Sequence, residues 1–138
     1  MLEKTYEQFL QPLELLNFNK IKDRQPNHAV VENTDLVVTK YDDKVSVLYG
    51  RCHHRGALLS DGHVDANDNL ICGVHNWDYR VDTGVSEYNN EEVLHKFPAV
   101  IKDGMVYIDK ADVIAFEELH PQPFKLSLIH ISEPTRPY

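Results

Sequence analysis

The sequence has few cysteines and no long hydrophobic run. Its 138 residues include only two cysteines, and no segment approaches the roughly 20 consecutive apolar residues that a membrane-spanning helix requires. The first eight residues contain neither the basic region nor the apolar region of a secretory signal. These absences argue against membrane insertion and against export, so we expect a cytoplasmic protein.

Basic residues are also scarce. The chain has 14 Lys and Arg against 22 Asp and Glu, which gives a formal net charge of −8. Nucleic acids and anionic membrane surfaces are bound by clusters of Lys and Arg, so we expect neither as a partner. The sequence shows no Gly-rich phosphate loop, no nucleophile with a placed base and no 2-His-1-carboxylate set. Whether the chain is an enzyme is therefore uncertain, and we expect no catalytic site of its own.

The two cysteines lie in two short blocks that each also contain histidine. The first block, CHHRG, runs from Cys52 to Gly56, and the second, CGVH, runs from Cys72 to His75. Their spacings are Cys-x-His and Cys-x-x-His, with 17 residues between His54 and Cys72. Each block offers one thiolate and one imidazole to a shared metal centre. In the first block two adjacent histidines, His53 and His54, follow Cys52.

This pattern resembles the signature of Rieske iron–sulfur domains, and the resemblance extends from about Ala29 to Asp109. It implies one 2Fe–2S cluster per chain, with one iron held by two Cys and the other by two His. The implied metal and cofactor ligands are Cys52, His54, Cys72 and His75. The resemblance thus implies His54 as the ligand and not the adjacent His53. The resemblance also implies positions that support the cluster, which are Gly56, Trp77, Tyr79 and Pro98.

The donor types suit this chemistry. Thiolates are soft, anionic ligands that favour iron–sulfur clusters, whereas neutral imidazoles add no negative charge. Replacing two thiolates by imidazoles makes an added electron easier to accept, which places Rieske potentials at roughly −150 to +300 mV. High-potential members of the family have an extra Cys in each ligand loop and a Ser where this chain has Trp77. The resemblance therefore implies a lower-potential type.

Two further roles for the cysteines stay open. Cys52 and Cys72 can form a disulfide, although disulfides are typical of oxidising compartments and a disulfide leaves the two spaced histidines without a role. The same four residues can hold a tetrahedral zinc ion, which accepts Cys2His2 ligand sets. Zinc fingers, however, usually pair Cys with Cys and His with His.

The hydrophobic pattern predicts an all-β fold. Short β-rich runs separated by turns are typical of a sandwich or barrel, and Rieske domains are antiparallel folds of this type with the cluster loops at one tip. The predicted strands include Ala29–Val31, Leu36–Tyr41, Val45–Tyr49, Leu70–Ile71 and a last hairpin at Val100–Ile108. Helical spacing of Phe9, Leu10, Leu13 and Leu16 predicts a short N-terminal helix within Tyr6–Phe18, and Ala111–Leu119 is predicted to be a terminal helix.

We expect residues 1–27 to be an N-terminal helix and linker, 28–119 the Rieske domain, and 120–125 the start of an interdomain linker. Residues 126–138 resemble the translation of a sequencing adapter and are excluded from fold reasoning. The natural chain is then expected to continue past Lys125.

A cluster with four protein ligands leaves no coordination site for substrate, so we expect one-electron transfer within a larger oxidoreductase. The ligand loops resemble those of modules that precede FMN-binding, glutamate-synthase-like domains. The alternative is a Rieske ferredoxin or the N-terminal domain of a ring-hydroxylating oxygenase, and a zinc-stabilised binding module is an alternative of another class. The expected partner is a redox domain or protein that carries flavin or mononuclear iron.

Overall fold

The computed structural model describes residues 5–52, 57–73, 77–89 and 91–120. These residues form ten β-strands and one α-helix, with short 3-10 turns at Tyr6–Gln8, Phe18–Lys20 and Leu59–Asp61. The strands are β1 (Pro12–Asn17), β2 (Pro26–Val31), β3 (Thr34–Tyr41), β4 (Lys44–Tyr49), β5 (His63–Val64), β6 (Asn69–Ile71), β7 (Asp78–Arg80), β8 (Lys96–Phe97), β9 (Ala99–Lys102) and β10 (Met105–Asp109), and the helix is α1 (Lys110–Leu119).

The strands make three antiparallel sheets. Their strand orders are β1-β10-β9, β2-β3-β4-β8 and β5-β6-β7. The prediction of an antiparallel all-β fold is confirmed. The predicted internal strands lie within β2, β3, β4 and β6, the last predicted hairpin is β9–β10, and the predicted terminal helix is α1.

Strands β3 and β4 are buried on both faces and separate two groups of apolar side chains. Leu36 and Val38 belong to one group and Val37, between them, belongs to the other. Because side chains alternate along a strand, a single buried strand contributes to both groups. The first cluster comprises Val31, Leu36, Val38, Val47, Phe97, Val106, Ile108, Val113 and Phe116. The second cluster comprises Val37, Leu48, Cys52, Leu59, Leu70, Cys72, Tyr79, Val81 and Leu94.

The predicted N-terminal helix is wrong. The middle and end of that segment, Pro12–Asn17, form the strand β1, which pairs with β10, and its helical part is limited to 3-10 turns at Tyr6–Gln8 and from Phe18. The register of β1 shifts between Glu14 and Leu16, so Leu13, Leu15 and Leu16 all pack against the first cluster. This irregularity breaks the alternation that identifies a strand and leaves a spacing that imitates a helix.

Arg24 joins the third sheet to the central sheet through their turns. Its Nε donates to Asp68 at 2.8 Å, just before β6, and its Nη1 donates to Asp42 at 3.1 Å, between β3 and β4. The Arg24 hydrogen bond lowers the pKa of Asp68. Because these pairs are partly exposed to water, which screens them, they fix the positions of the turns more than they stabilise the fold.

Asp109 is a buried carboxylate that caps α1. It accepts a hydrogen bond from the backbone N–H of Ala111 at 3.0 Å, and it also accepts from the N–H groups of Leu10 and Gln11, each at 2.9 Å. One side chain thus begins the helix and holds the segment before β1. None of the helices in the described part of the chain is long and apolar enough to cross a bilayer.

His95 lies half-buried between the central sheet and α1. Its ring centroid is 4.6 Å from that of Phe97 and 4.9 Å from that of Phe116. Burial lowers the pKa of His95, and the nearby His120 lowers it further, against a smaller opposing effect of Asp112. The folded protein therefore favours the neutral imidazole.

We expect this burial to make stability depend on pH. The unfolded chain binds a proton at His95 near the ordinary pKa of about 6.5, whereas the folded chain resists it, so stability is lost as the pH falls through and below that value. The melting temperature should decline from about pH 7.5 to about pH 5.5, and His95→Gln should reduce this decline. His63→Gln, in the exposed β5 position, is the control. An equal decline in wild type and His95→Gln would contradict the assignment.

Candidate metal centre

The loop that begins at Cys52 leaves β4 through a close backbone contact. The N–H of Gly50 donates to the carbonyl of Asp35 at 2.8 Å, and a Cβ at Gly50 would lie 2.8 Å from the backbone carbon of Leu36. Only glycine fits there without displacing β3. The N–H of Cys52 then donates to the carbonyl of Ala57 at 2.9 Å, which closes the loop.

The loop that begins at Cys72 is closed in the same way. Cys72 follows β6 directly, and its N–H donates to the carbonyl of Trp77 at 2.8 Å. In both loops the cysteine N–H is thus bonded to the carbonyl five residues later. Cys52 and Cys72 occupy equivalent positions in two loops of equal size.

The fold buries the thiols of Cys52 and Cys72 in the second apolar cluster. Cys52 is 2% exposed and Cys72 is fully buried. No disulfide joins these two described residues, so the disulfide considered from the sequence is not formed in this structure. Two buried thiols in an apolar setting fit a 2Fe–2S centre of the Rieske type. Two thiolates cancel the net charge of two ferric ions and two sulfides, so the oxidised centre is neutral and suits low polarity.

Two glycines allow the loops to approach each other. A Cβ at Gly62 would lie 1.9 Å from the carbonyl oxygen of Ile71, and a Cβ at Gly73 would lie 3.0 Å from the carbonyl oxygen of Asp61. The turn at Leu59–Asp61 therefore packs directly on the backbone at the start of the second loop. Sequence reasoning missed this contact, although Gly73 stands inside the second block.

Tyr79 lies beside the first cysteine. It is fully buried, and its hydroxyl oxygen is 3.6 Å from Cys52 Sγ, within hydrogen-bonding distance of sulfur. The side chain of Trp77 packs partly buried against the same cluster. Both residues were predicted to support the centre, and the structure places both at the apolar cluster that contains Cys52 and Cys72, so their role stays a prediction.

An ion pair that the sequence did not reveal lies next to Cys52. Arg51 Nε donates to Asp35 Oδ2 at 2.7 Å, and Asp35 Oδ1 lies 2.8 Å from His28 Nε2. The side chains of Arg51 and Asp35 are each 19% exposed. The pair ties the first ligand loop to β3, and only the fold makes these residues neighbours.

The two predicted histidine ligands, His54 and His75, and the supporting residue Gly56 lie outside the described residues. His54 and His75 therefore stay predicted ligands. Within the described ranges, no three His, Cys, Asp or Glu side chains form a metal-binding group. Pro98 joins β8 to β9, and its neighbour Phe97 is buried in the first apolar cluster, not in the one that contains the cysteines. The predicted role of Pro98 in covering the iron–sulfur cluster therefore stays a prediction.

Comparisons with known proteins point to the same chemistry. A family model described as Rieske [2Fe-2S] domain matches residues 11–98. The 3-phenylpropionate/cinnamic acid dioxygenase ferredoxin subunit of Photorhabdus laumondii is 29% identical over 75 residues, which are 54% of this chain and 71% of that protein. The ferredoxin component of the alkene monooxygenase system of Xanthobacter autotrophicus is 27% identical over 74 residues, which are 54% of this chain and 61% of that protein.

A solved structure shares the fold. The ferredoxin of Sphingomonas yanoikuyae B1 superposes with a TM-score of 0.65 at 29% identity, over 72% of this chain and 98% of that one. The chain's strands thus follow a ferredoxin architecture along nearly the whole of that smaller protein.

We expect the ligand set to be testable by composition. Cys72→Ala and His54→Ala should each abolish bound iron and acid-labile sulfide, because each removes one of the ligands that an iron requires. His53→Ala, a matched change at the neighbouring histidine, should retain both at the wild-type level. Iron and sulfide are assayed per chain after anaerobic purification. Full retention in Cys72→Ala or His54→Ala would refute the predicted ligands.

Tyr79→Phe should lower the reduction potential while leaving the cluster bound. The lost hydroxyl is positioned to donate to Cys52, and a donor stabilises the reduced state, which carries more negative charge. A difference of about 1 kcal/mol in hydrogen-bond strength corresponds to roughly 40 mV for one electron. Tyr107→Phe, a tyrosine of β10 beside Glu14, is the control. An unchanged potential in Tyr79→Phe, measured by voltammetry, would exclude this role.

Proposed function

Because the chain belongs to the Rieske [2Fe-2S] domain family, we propose that it carries single electrons to an oxygenase component as a ferredoxin. A Rieske domain binds a 2Fe–2S cluster, and the cofactor predicted from the sequence is confirmed at this level. The proposed ligands remain Cys52, His54, Cys72 and His75. With four protein ligands, the centre has no open position for substrate, so the domain has no catalytic site of its own in this proposal.

The observation that carries the proposal is the equivalence of the two cysteine loops. Cys52 and Cys72 are buried in the same apolar cluster. Each begins a loop that is closed by a hydrogen bond from the cysteine N–H to the carbonyl five residues later. Two matched loops suit a shared two-iron centre, since each loop can supply one thiolate and one imidazole. A tetrahedral zinc ion accepts the same four residues, and the metal content measured in the first test distinguishes it from an iron–sulfur cluster.

The names of the relatives support the oxygenase setting. One is a dioxygenase ferredoxin subunit and the other is the ferredoxin component of a monooxygenase system. These ferredoxins match the alternative that the sequence raised. The FMN-binding, glutamate-synthase-like setting, which the ligand loops favoured, receives no support from the comparisons. We therefore propose an oxygenase component as the first candidate partner and a flavin-binding domain as the second. The proposed location is the cytoplasm.

The domain in this proposal is wider than the sequence predicted. Strand β1 pairs with β10, and β2 pairs with β3, so the electron-transfer domain is proposed to run from β1 to the end of α1. The gene sequence downstream of the codon for Lys125 separates the two settings. A flavin-binding barrel encoded in frame would support the fused module, whereas an early stop codon would support a separate ferredoxin.

The first test is the EPR spectrum of anaerobically purified, dithionite-reduced protein. We expect a rhombic signal of low average g, with two irons and two sulfides per chain. The potential should lie in the lower part of the range of roughly −150 to +300 mV, because Trp77 replaces the hydroxyl donor of high-potential members and the sequence has no cysteine for a loop disulfide. A silent sample that contains zinc would exclude electron transfer.

A further inference from the structure

A recess opens beside the second ligand loop. It has a volume of about 560 Å³, and the residues that shape it include Asp65, Asn69, Trp77, Asp78, Tyr88 and Glu92. The carbonyl of Trp77, one of these residues, accepts the hydrogen bond that closes the loop from Cys72. The recess therefore adjoins the proposed cluster, and neither Cys52 nor Cys72 is among the described residues that line it.

The recess lies in the acidic part of the molecule. Three of its lining residues are carboxylates, Asp65, Asp78 and Glu92, and no Lys or Arg is among the described residues that line it. Between residues 57 and 92 the chain has eight acidic residues and a single arginine, so this segment accounts for nearly all of the net charge of −8. The potential at the recess is thus negative and favours a cationic occupant.

The acidic wall is held in place. Asp78 Oδ1 accepts from Ser86 Oγ and Asp78 Oδ2 accepts from the N–H of Glu87, both at 2.9 Å. Asp65 Oδ1 accepts from the N–H of Asn69 at 3.0 Å. The one arginine of this region, Arg80, is occupied by Asp82 and Glu87 at 3.2 and 3.5 Å.

Asn69 forms part of the buried wall of the recess. It is 6% exposed, and its Nδ2 donates to Glu87 Oε1 at 2.8 Å. Its Oδ1 is buried and has no hydrogen-bond partner among the described residues. Buried polar atoms are nearly always paired, but this oxygen is inaccessible to an occupant of the recess, so Asn69 shapes the wall and is not counted as an acceptor.

Two aromatic side chains complete the set. Trp77 is the only tryptophan of the chain, and Tyr88 is 94% exposed at the rim. Aromatic faces attract guanidinium and ammonium groups, and carboxylates bind them through charge-assisted hydrogen bonds. A recess lined by both carboxylates and aromatic side chains matches the end of an arginine or lysine side chain.

We propose that this recess receives a basic side chain of the protein that exchanges electrons with the cluster. The inference rests on the proposed function and extends it, since it names the surface and the charge of the partner. A partner anchored here lies against the second ligand loop, which keeps the electron path short. Removing the charge of Glu92, which lines the recess, should mainly slow the association with the partner and weaken the dependence of the association rate on salt.

The test uses two acceptors of opposite charge. The reduced holoprotein is mixed in a stopped-flow instrument with cytochrome c, a basic protein whose ferric haem takes one electron, or with ferricyanide, a small anion. Tyr88→Ala and Glu92→Gln should each slow cytochrome c reduction about threefold or more at low ionic strength, and the effect of Glu92→Gln should shrink with salt. Ferricyanide reduction should not slow.

Glu118→Gln is the matched control, because it removes the same charge from an exposed position on α1. Equal slowing by Glu92→Gln and Glu118→Gln would overturn the proposal, since the effect would then depend on net charge alone. Unchanged rates in both recess variants would overturn it as well.

A second readout does not depend on electron transfer. N-acetyl-arginine methylamide is titrated into the oxidised protein while NMR follows the Asn69 side-chain amide and the Trp77 indole N–H. We expect both signals to shift, and to shift less in Glu92→Gln. If the anaerobically purified protein contains no iron–sulfur cluster but still shows these shifts, the recess is upheld and the proposed function is refuted. Micromolar binding of this probe without any effect on cytochrome c rates would instead indicate a small-molecule site and overturn the docking proposal.

Discussion

The structure depends on the burial of two cysteines in a single apolar cluster. Cys52 and Cys72 are far apart in sequence, and each stands at the start of a loop, where the chain would otherwise be free to move. Packing with Leu59, Leu70 and Tyr79 fixes both thiols relative to one another. A two-iron centre benefits from this constraint, because ligands that the fold holds near one another lose less conformational entropy when the cluster binds.

The central sheet makes this burial possible. Strands β3 and β4 present apolar residues on both faces, so one face packs against α1 and β10 while the other packs against the cysteine loops. Glycines then permit distances that side chains would prevent, as where Gly62 meets the carbonyl of Ile71. The rigidity of the site thus comes from a sheet that is buried on both sides and from backbone contacts without Cβ atoms.

Charge is distributed as unevenly as apolar surface. The segment from residue 57 to residue 92 is strongly acidic, whereas the rest of the chain is close to neutral. Arg24 and Arg80 reduce this repulsion locally by binding Asp68 and Asp82. Three of the other carboxylates, Asp65, Asp78 and Glu92, line the recess beside Trp77, where a negative potential can attract a partner and orient it toward the iron–sulfur cluster.

The sequence by itself indicated the 2Fe–2S cofactor, because the types and spacing of the proposed ligands are local properties of the two Cys/His blocks. It also determined most strands, since their β-rich runs and turns are local. It failed at β1, where a shift in register disguised the alternation of Leu13, Leu15 and Leu16. Only the tertiary structure decided the Arg51–Asp35 pair, the approach of Gly62 to Ile71 and the recess around Asn69. Each of these joins residues that the sequence separates, so no local pattern could reveal them.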